Sequence, residues 1–318
     1  MRGRWLGACM ALVFAGAAAA QSWPQRAVQV TVPFPAGGSS DVIGRLVGAR
    51  LTESLRQPVV IDNRPGAGTL IGTQYVARAA PDGHTLLLAD VPFSVNPLVL
   101  PPPTYDPVQD FTAITLLGTS AQFLYSNPAR HRSLADLVAA VRAKPGVVTM
   151  ATAGSGTTTH LMTEMLQSAL GVKFVQVPYK GSAPALTDAA AGHVDAAFST
   201  FASAAPLVQS GKLRVLGVTA AARLPAFADV PTFAEIGATD LVVEHWWGLL
   251  GPAGMPRPVV ERLESEVAKA LAVPELRERF AGLGVEPRSS TSAQFRALVE
   301  TYVQRWARVV RENQIKAN

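Results

Sequence analysis

Apolar and polar positions along this chain alternate in a repeating rhythm: a short apolar run, a turn of small residues, then apolar positions at helical spacing. VTV (30–32) runs into PFPAGGSSD, after which Val42, Ile43, Leu46, Val47, Leu51 and Leu55 share one helical face. PVVI (58–61) runs into DNRPGAGTLIG and predicts a helix to about Ala80, closed by Pro81-Asp82-Gly83. TLLLA (85–89) then reads as a buried strand, and VVTMA (147–151) leads into a third small-residue turn, TAGSGTTTH.

The rhythm continues on either side of two longer apolar stretches. VLPPPTYDPVQDF reads as surface loop. Thr112 to Ser126 is too long for one ordinary strand and predicts a segment that leaves one lobe and enters another. Ser133 with Asp136 marks a helix start and Lys144-Pro145-Gly146 its end. Gly171 closes the helix after the third turn, KFVQVP (173–178) is a strand, and YKGSAPAL (179–186) opens a helix with Pro184 in its first turn. Gly192 ends that helix, and HVDAAFST (193–200) and LRVLGVT (213–219) are strands. LVVEHWWGLLGP (241–252) is again long enough to cross back. The remainder is helical: Val259, Leu263, Val267 and Leu271 share one face, and Phe295, Leu298, Val299, Tyr302, Val303, Trp306 and Val310 another. Thr291 and Gln294 have capping-box spacing.

Alternating strands and helices with two crossings predict a hinged α/β clamshell, two α/β lobes joined by two crossing strands. Residues 21–121 and 245–318 form one lobe and 122–244 the other, with the ligand in the cleft. In open parallel sheets ligands sit beyond the carboxyl ends of the strands, where all three glycine turns fall.

The N-terminus changes the picture of location. Arg2 and Arg4 precede an apolar stretch from Trp5 to Ala20 ending in AAAA, the pattern of a cleaved secretory signal over residues 1–20. The sole cysteine, Cys9, lies inside it, so the exported chain has neither disulfide nor thiol chemistry. Without Arg2 and Arg4, 28 basic and 23 acidic residues become 26 and 23, a net charge of +3, with no basic cluster for nucleic acid or anionic lipid. A content of 48% hydrophobic and 16% charged residues argues for a folded chain with sizeable cores.

A small-residue turn between a strand and a helix is an anion cradle. The first N–H groups of a helix lack internal partners and lie at the positive end of its dipole. Enzyme readings fit less well. GAGTLIG with Asp90 further on imitates a dinucleotide fingerprint, but the turn is long and holds Arg64 and Pro65. Ser155, His160 and Asp188 or Asp195 are the residue types of a hydrolase, but AGSGT is not a nucleophile elbow. His84, His131, His160, His193 and His245 show no paired metal-ligand spacing. Neither a metal nor a cofactor is expected.

PFPAGGSSD, NRPGAG, PDGHTLLL, YDPVQDF, AGSGTTTH, VPYKGSAPALTD, RLPAFADVPTFAEIG and WWGLLGPAG, in this order, resemble the periplasmic solute-binding proteins of tripartite tricarboxylate transporters, the Bug or TctC-like family. The resemblance runs from about Trp23 to the last helix. It implies a type II periplasmic-binding-protein clamshell and a periplasmic receptor, not an enzyme, that takes a small-molecule carboxylate and delivers it to the membrane permease subunits; a monomer suffices. The alternative is a sensor feeding a signalling receptor. The implied carboxylate site is Ala36, Gly37, Gly38, Ser39 and Ser40 with Gly66, Ala67, Gly68 and Thr69. The second lobe would add Ser155, Gly156, Thr157 and Thr158, with Tyr179, Lys180, Gly181 and the stretch from Asp195 through Ser199 to Thr200 on the far wall.

Departures from the family pattern bear on the ligand. Thr69 replaces a usual glycine, and the segment after TLLL, usually small and polar, is ADVPFSVNP, with Ser94 inside it. Phe34, Phe198 and Trp246 are candidates to face the cleft beside Val91, Pro92 and Phe93. Such a surface would take a flat or partly apolar acid, an aromatic monocarboxylate rather than citrate. Aromatic side chains are, however, most often packing groups. Asp195 would either accept an amine or bond to nearby backbone N–H groups, Lys180 would meet a second acidic group or lie exposed, and Asp41 would be a helix-start carboxylate.

Overall fold

The computed structural model describes residues 23–99 and 104–312; the signal-peptide reading and part of the proline-rich loop lie outside them. The chain begins with β1 (Val28–Val32), α1 (Ser39–Leu55), β2 (Val59–Asn63), α2 (Leu70–Ala77), β3 (Thr85–Asp90) and α3 (Pro92–Val99). β1 pairs in parallel with β2 on one edge and β3 on the other, and it is buried because α1 and α2 pack against it. α1 covers it with Ile43, Val47, Leu51 and Leu55, each contributing about 1.5–3 kcal/mol by leaving water.

β4 (Phe111–Ser126) is the axis of the molecule. Its residues from Phe111 to Ala121 pair with β9 (Glu244–Pro252), and those from Gln122 to Ser126 pair with β7 (Ala196–Thr200) and β8 (Arg214–Val218). The expected first crossing is therefore a single continuous strand. The return is made by 219–243, where the Thr219 hydroxyl donates to the Val243 carbonyl at 2.7 Å. Strand pairing resumes at Glu244, opposite Ala121.

The second section contains α4 (Leu134–Ala143), β5 (Thr149–Thr152), α5 (Thr158–Leu170), β6 (Val175–Pro178), α6 (Ser182–Ala191) and α7 (Phe201–Gln209). Ser133 caps α4 by accepting from the Asp136 N–H at 3.1 Å, as its sequence predicts. The sheet order is β2-β1-β3-β9-β4-β7-β5-β6, with β8 and a short β10 (Glu286–Pro287) also paired to β4. The sheet is mixed: β4 and β9 run antiparallel to their neighbours because a chain that crosses and returns must reverse.

The C-terminal helices α8 (Arg257–Ala272), α9 (Pro274–Gly282) and α10 (Ser292–Glu312) pack onto the first section, and the predicted capping box of α10 is closed in both directions at 3.0 and 3.2 Å. α3, α7 and β10 have no counterpart in the sequence reading. α3 carries Pro92 and Pro97, poor helix formers, and is held by burial. Phe93 packs against Tyr105 and Phe111, and the Tyr105 hydroxyl donates to the Phe93 carbonyl at 2.8 Å.

Candidate ligand site

Four helices begin at one cavity. α1 presents Gly38, Ser39 and Ser40; α5 presents Thr157, Thr158 and Thr159; α6 presents Gly181, Ser182 and Ala183; α7 is preceded by Thr200. At none of these four N-termini does the side chain of the N-cap residue close the first turn. A helix N-terminus carries roughly half a positive charge, so several of them on one small space make a strong anion field. Among the described residues lining the cavity there is no lysine or arginine. The space open to the centre of a water molecule is about 40 Å³, enough for a few water-sized groups.

The cavity has a polar floor. The Ser40 hydroxyl donates to Asp90 Oδ2 at 2.9 Å, His245 Nε2 lies 3.6 Å from the same oxygen, and Gln122 Nε2 meets His245 Nδ1 at 3.0 Å. Gln122 Oε1, His245 Nε2, Thr158 Oγ1 and Thr200 Oγ1 are buried without a hydrogen-bond partner. Buried polar groups are nearly always paired, so unpaired atoms on the wall of one cavity mark what a bound molecule supplies.

The two lobes touch around this space. The Ser39 N–H donates to Ser203 Oγ, on α7, at 2.8 Å. Gly68, Gly156 and Gly181 stand so close to Ser155, Asn96 and Pro35 of the facing lobe that an added Cβ would lie 2.8, 2.9 and 3.0 Å from them. Outside the cavity, Phe34, Pro35, Thr157 and Gly181 also line a vestibule of about 420 Å³ together with Gly66, Ala67, Gly68, Thr69, Tyr179 and Lys180.

The sequence-predicted residues divide accordingly. Phe34, Gly38, Ser39, Ser40, Thr157, Thr158 and Gly181 line the cavity. Gly66 to Thr69, Tyr179 and Lys180 line only the vestibule, where Lys180 is exposed. The Tyr179 hydroxyl is engaged with Asp188 at 2.6 Å, and desolvation together with that carboxylate pushes its pKa up to about 12. Ala36 and Gly37 are exposed beside the cavity, and the Gly37 N–H is taken by Asp41 at 3.0 Å. Burial alone would raise the Asp41 pKa, but Arg45, the Gly37 N–H and Asn63 outweigh it and the net shift is downward, as suits a helix-start carboxylate. Ser155 and Gly156 form the lip that meets the second loop.

Four candidates lie elsewhere. Asp195 faces away from the cavity and accepts from the Thr149 N–H and hydroxyl at 2.8 and 2.7 Å, the backbone-bonding option. Ser94 and Ser199 are buried outside the cavity wall. Trp246 is fully buried between Phe295 and Tyr302, because strand alternation turns His245 toward the cleft and its neighbour away. Phe198 packs on Phe233, and Phe93 on Tyr105 and Phe111. Of the rings invoked for an aromatic ligand only Phe34 reaches the cavity, so that expectation loses its basis. The hydrolase trio is not assembled either: His160 Nδ1 accepts from the Gly156 N–H at 3.1 Å and Nε2 lies 3.9 Å from Glu164.

Sequence reasoning reached Thr200 on the far wall, which lines the cavity, but missed Asp90 as a cleft residue, along with Gln122 and His245. The strand alternation around His245 was the one signal that pointed to the cleft.

Two α/β sections sharing one long strand, with helix N-termini and a small cavity between them, make the two-lobed architecture of solute-binding proteins, shared with a solved structure of the periplasmic binding protein BugD. Residues 43–315 match the tripartite tricarboxylate transporter family receptor, TctC, and the chain belongs to that family. It is similar to the protein BugT of Bordetella pertussis, with 37% identity over 93% of this chain and 92% of that one. A solved structure of Rpa4515 from R. palustris with adipate superposes with a TM-score of 0.89 at 34% identity, covering 93% and 99% of the two chains. MatC from Rhodopseudomonas palustris with bound malate gives 0.86 at 32% identity, covering 90% and 99%.

Proposed function

We propose that this protein is an extracytoplasmic receptor that captures a small carboxylate between its lobes and delivers it to a permease of the tripartite tricarboxylate type. The observation that carries the reading is the convergence of four helix N-termini, none closed by the side chain of its own N-cap residue, on one cavity whose described lining holds no lysine or arginine. Family membership supports the transport role, and the adipate and malate held by two relatives support the ligand class.

The lobes are 21–121 with 245–318 and 122–244, and their hinge is the handover in β4 at Ala121 and Gln122 with the return strand opposite it. Each charge-assisted hydrogen bond contributes roughly 1.5–3 kcal/mol net, so four or five aligned N–H and hydroxyl donors account for the roughly 8 kcal/mol of a micromolar complex. Closure excludes water and strengthens each of them, which makes binding and closure one event.

The test is a thermal-shift screen of refolded, ligand-stripped protein against mono-, di- and tricarboxylates, with NAD as the control. A carboxylate at 100 times its dissociation constant adds roughly 2.7 kcal/mol to stability, a readily measured rise in Tm. Silence across all carboxylates would overturn the reading.

A further inference from the structure

We propose that the receptor reads a hydrogen-bond-donating substituent, hydroxyl or ammonium, placed one or two carbons from the ligand carboxylate, and that Asp90 and Gln122 are the acceptors that read it. The inference rests on the carboxylate reading of the cavity and names the subclass of ligand.

The floor is built to accept. Ser40 Oγ and His245 Nε2 both approach one oxygen of Asp90, Oδ2, at 2.9 and 3.6 Å. Among the described residues no hydrogen bond reaches its other oxygen, and an ionised carboxylate accepts through both. With the Gln122 amide N–H donating to His245 Nδ1, the imidazole proton resides on Nε2 toward Asp90, and Gln122 Oε1 is left buried and unpartnered. Asp90, Gln122 and His245 are each more than nine-tenths buried and all line the cavity.

A bound acid with only C–H groups at this end would bury these acceptors without donors, and each such group costs its full desolvation. A second carboxylate would face Asp90 with like charge. A hydroxyl or ammonium instead donates to the free oxygens. Its distance from the ligand carboxylate follows from Ser40, which belongs to the first turn of α1 and touches Asp90 through its own side chain. The anion at that turn and the acceptor pair therefore lie on either side of one serine.

The experiment is calorimetric titration of the purified protein with two matched sets: butanedioate and propanoate, each with its 2-hydroxy and 2-amino derivatives. At least one substituted acid is expected to bind ten or more times tighter than its parent, since a site built for a donor rejects the analogue lacking it. The hydroxy and amino arms say which donor is read. In Asp90→Asn, whose amide turns a donor toward the ligand, the ratio is expected to fall below threefold. Where Asp90→Asn melts too early to titrate, Gln122→Leu is read in the same way. Parents that bind as tightly as their derivatives, a ratio that both variants leave intact, or binding of none of the six acids when another carboxylate stabilises the protein in the thermal-shift screen would overturn the inference while the carboxylate reading stood; silence in that screen as well would remove that reading itself.

Discussion

A Cβ built on Gly68 would stand 2.8 Å from the Ser155 carbonyl oxygen on the opposite lobe. Gly156 meets the Asn96 side chain from the other direction, where a Cβ would lie 2.9 Å from Oδ1. Both glycines have positive φ, +60° and +76°, so each combines a backbone shape that favours glycine with a contact that excludes any side chain. These glycines let the lobes come together.

Gly68→Ala should therefore weaken ligand affinity at least tenfold by holding the cleft ajar, with roughly 1 kcal/mol of local strain besides. Calorimetry reads the affinity, and small-angle scattering of the liganded protein should show a larger radius than the wild type. Unchanged affinity would mean that full closure is not needed for binding.

Ser203→Ala removes the hydroxyl that accepts from the Ser39 N–H across the cleft at 2.8 Å. One neutral hydrogen bond contributes about 0.5–1.5 kcal/mol, so affinity should fall roughly two- to tenfold if the bond serves the closed form. Ligand titration of the variant checks it, and tighter binding would show Ser203 to be a competitor for that N–H instead.

Trp246→Phe tests the reassignment of this ring to the core. Its packing between Phe295 and Tyr302 predicts a loss of about 1–3 kcal/mol in urea unfolding, as for other large-to-small core changes. Ligand affinity should stay within twofold. A large loss of affinity at modest cost in stability would return Trp246 to the site.

His160 should make stability and binding sensitive to mild acid. Desolvation lowers its pKa below the ordinary 6.5, only partly opposed by Glu164, and Nδ1 must stay unprotonated to accept from the Gly156 N–H. The unfolded chain then binds the proton more readily. The contribution is complete above about pH 6.5 and is lost as pH falls from there through the lower folded value. Melting temperatures between pH 7.5 and 5 should drop more steeply for the wild type than for His160→Gln, which keeps an acceptor without a titration. Parallel slopes would refute the assignment.

Much of the fold was legible locally. Strand-turn-helix order gave β1 to α2 and β5 to α6, Ser133 with Asp136 marked the start of α4, and Thr291 with Gln294 that of α10. Helices held by packing against local preference, such as α3 with its two prolines, were not legible, because burial of Phe93 overrides propensity. Three of the four helix N-termini at the cavity were visible as small-residue turns or helix starts, but the acceptor floor was not.

The sequence by itself determined where the backbone turns, which faces of the helices are apolar and which family the chain resembles, since each of these is written in the spacing of near neighbours. Only the tertiary structure decided which polar groups meet. Ser40, Asp90, Gln122 and His245 come from α1, β3, β4 and β9, and they assemble because strand register sets Asp90 opposite Trp247 and Ser120 opposite His245. Register is a long-range choice fixed by burying both faces of the sheet, and a shift of one residue would exchange His245 for Trp246 at the cleft.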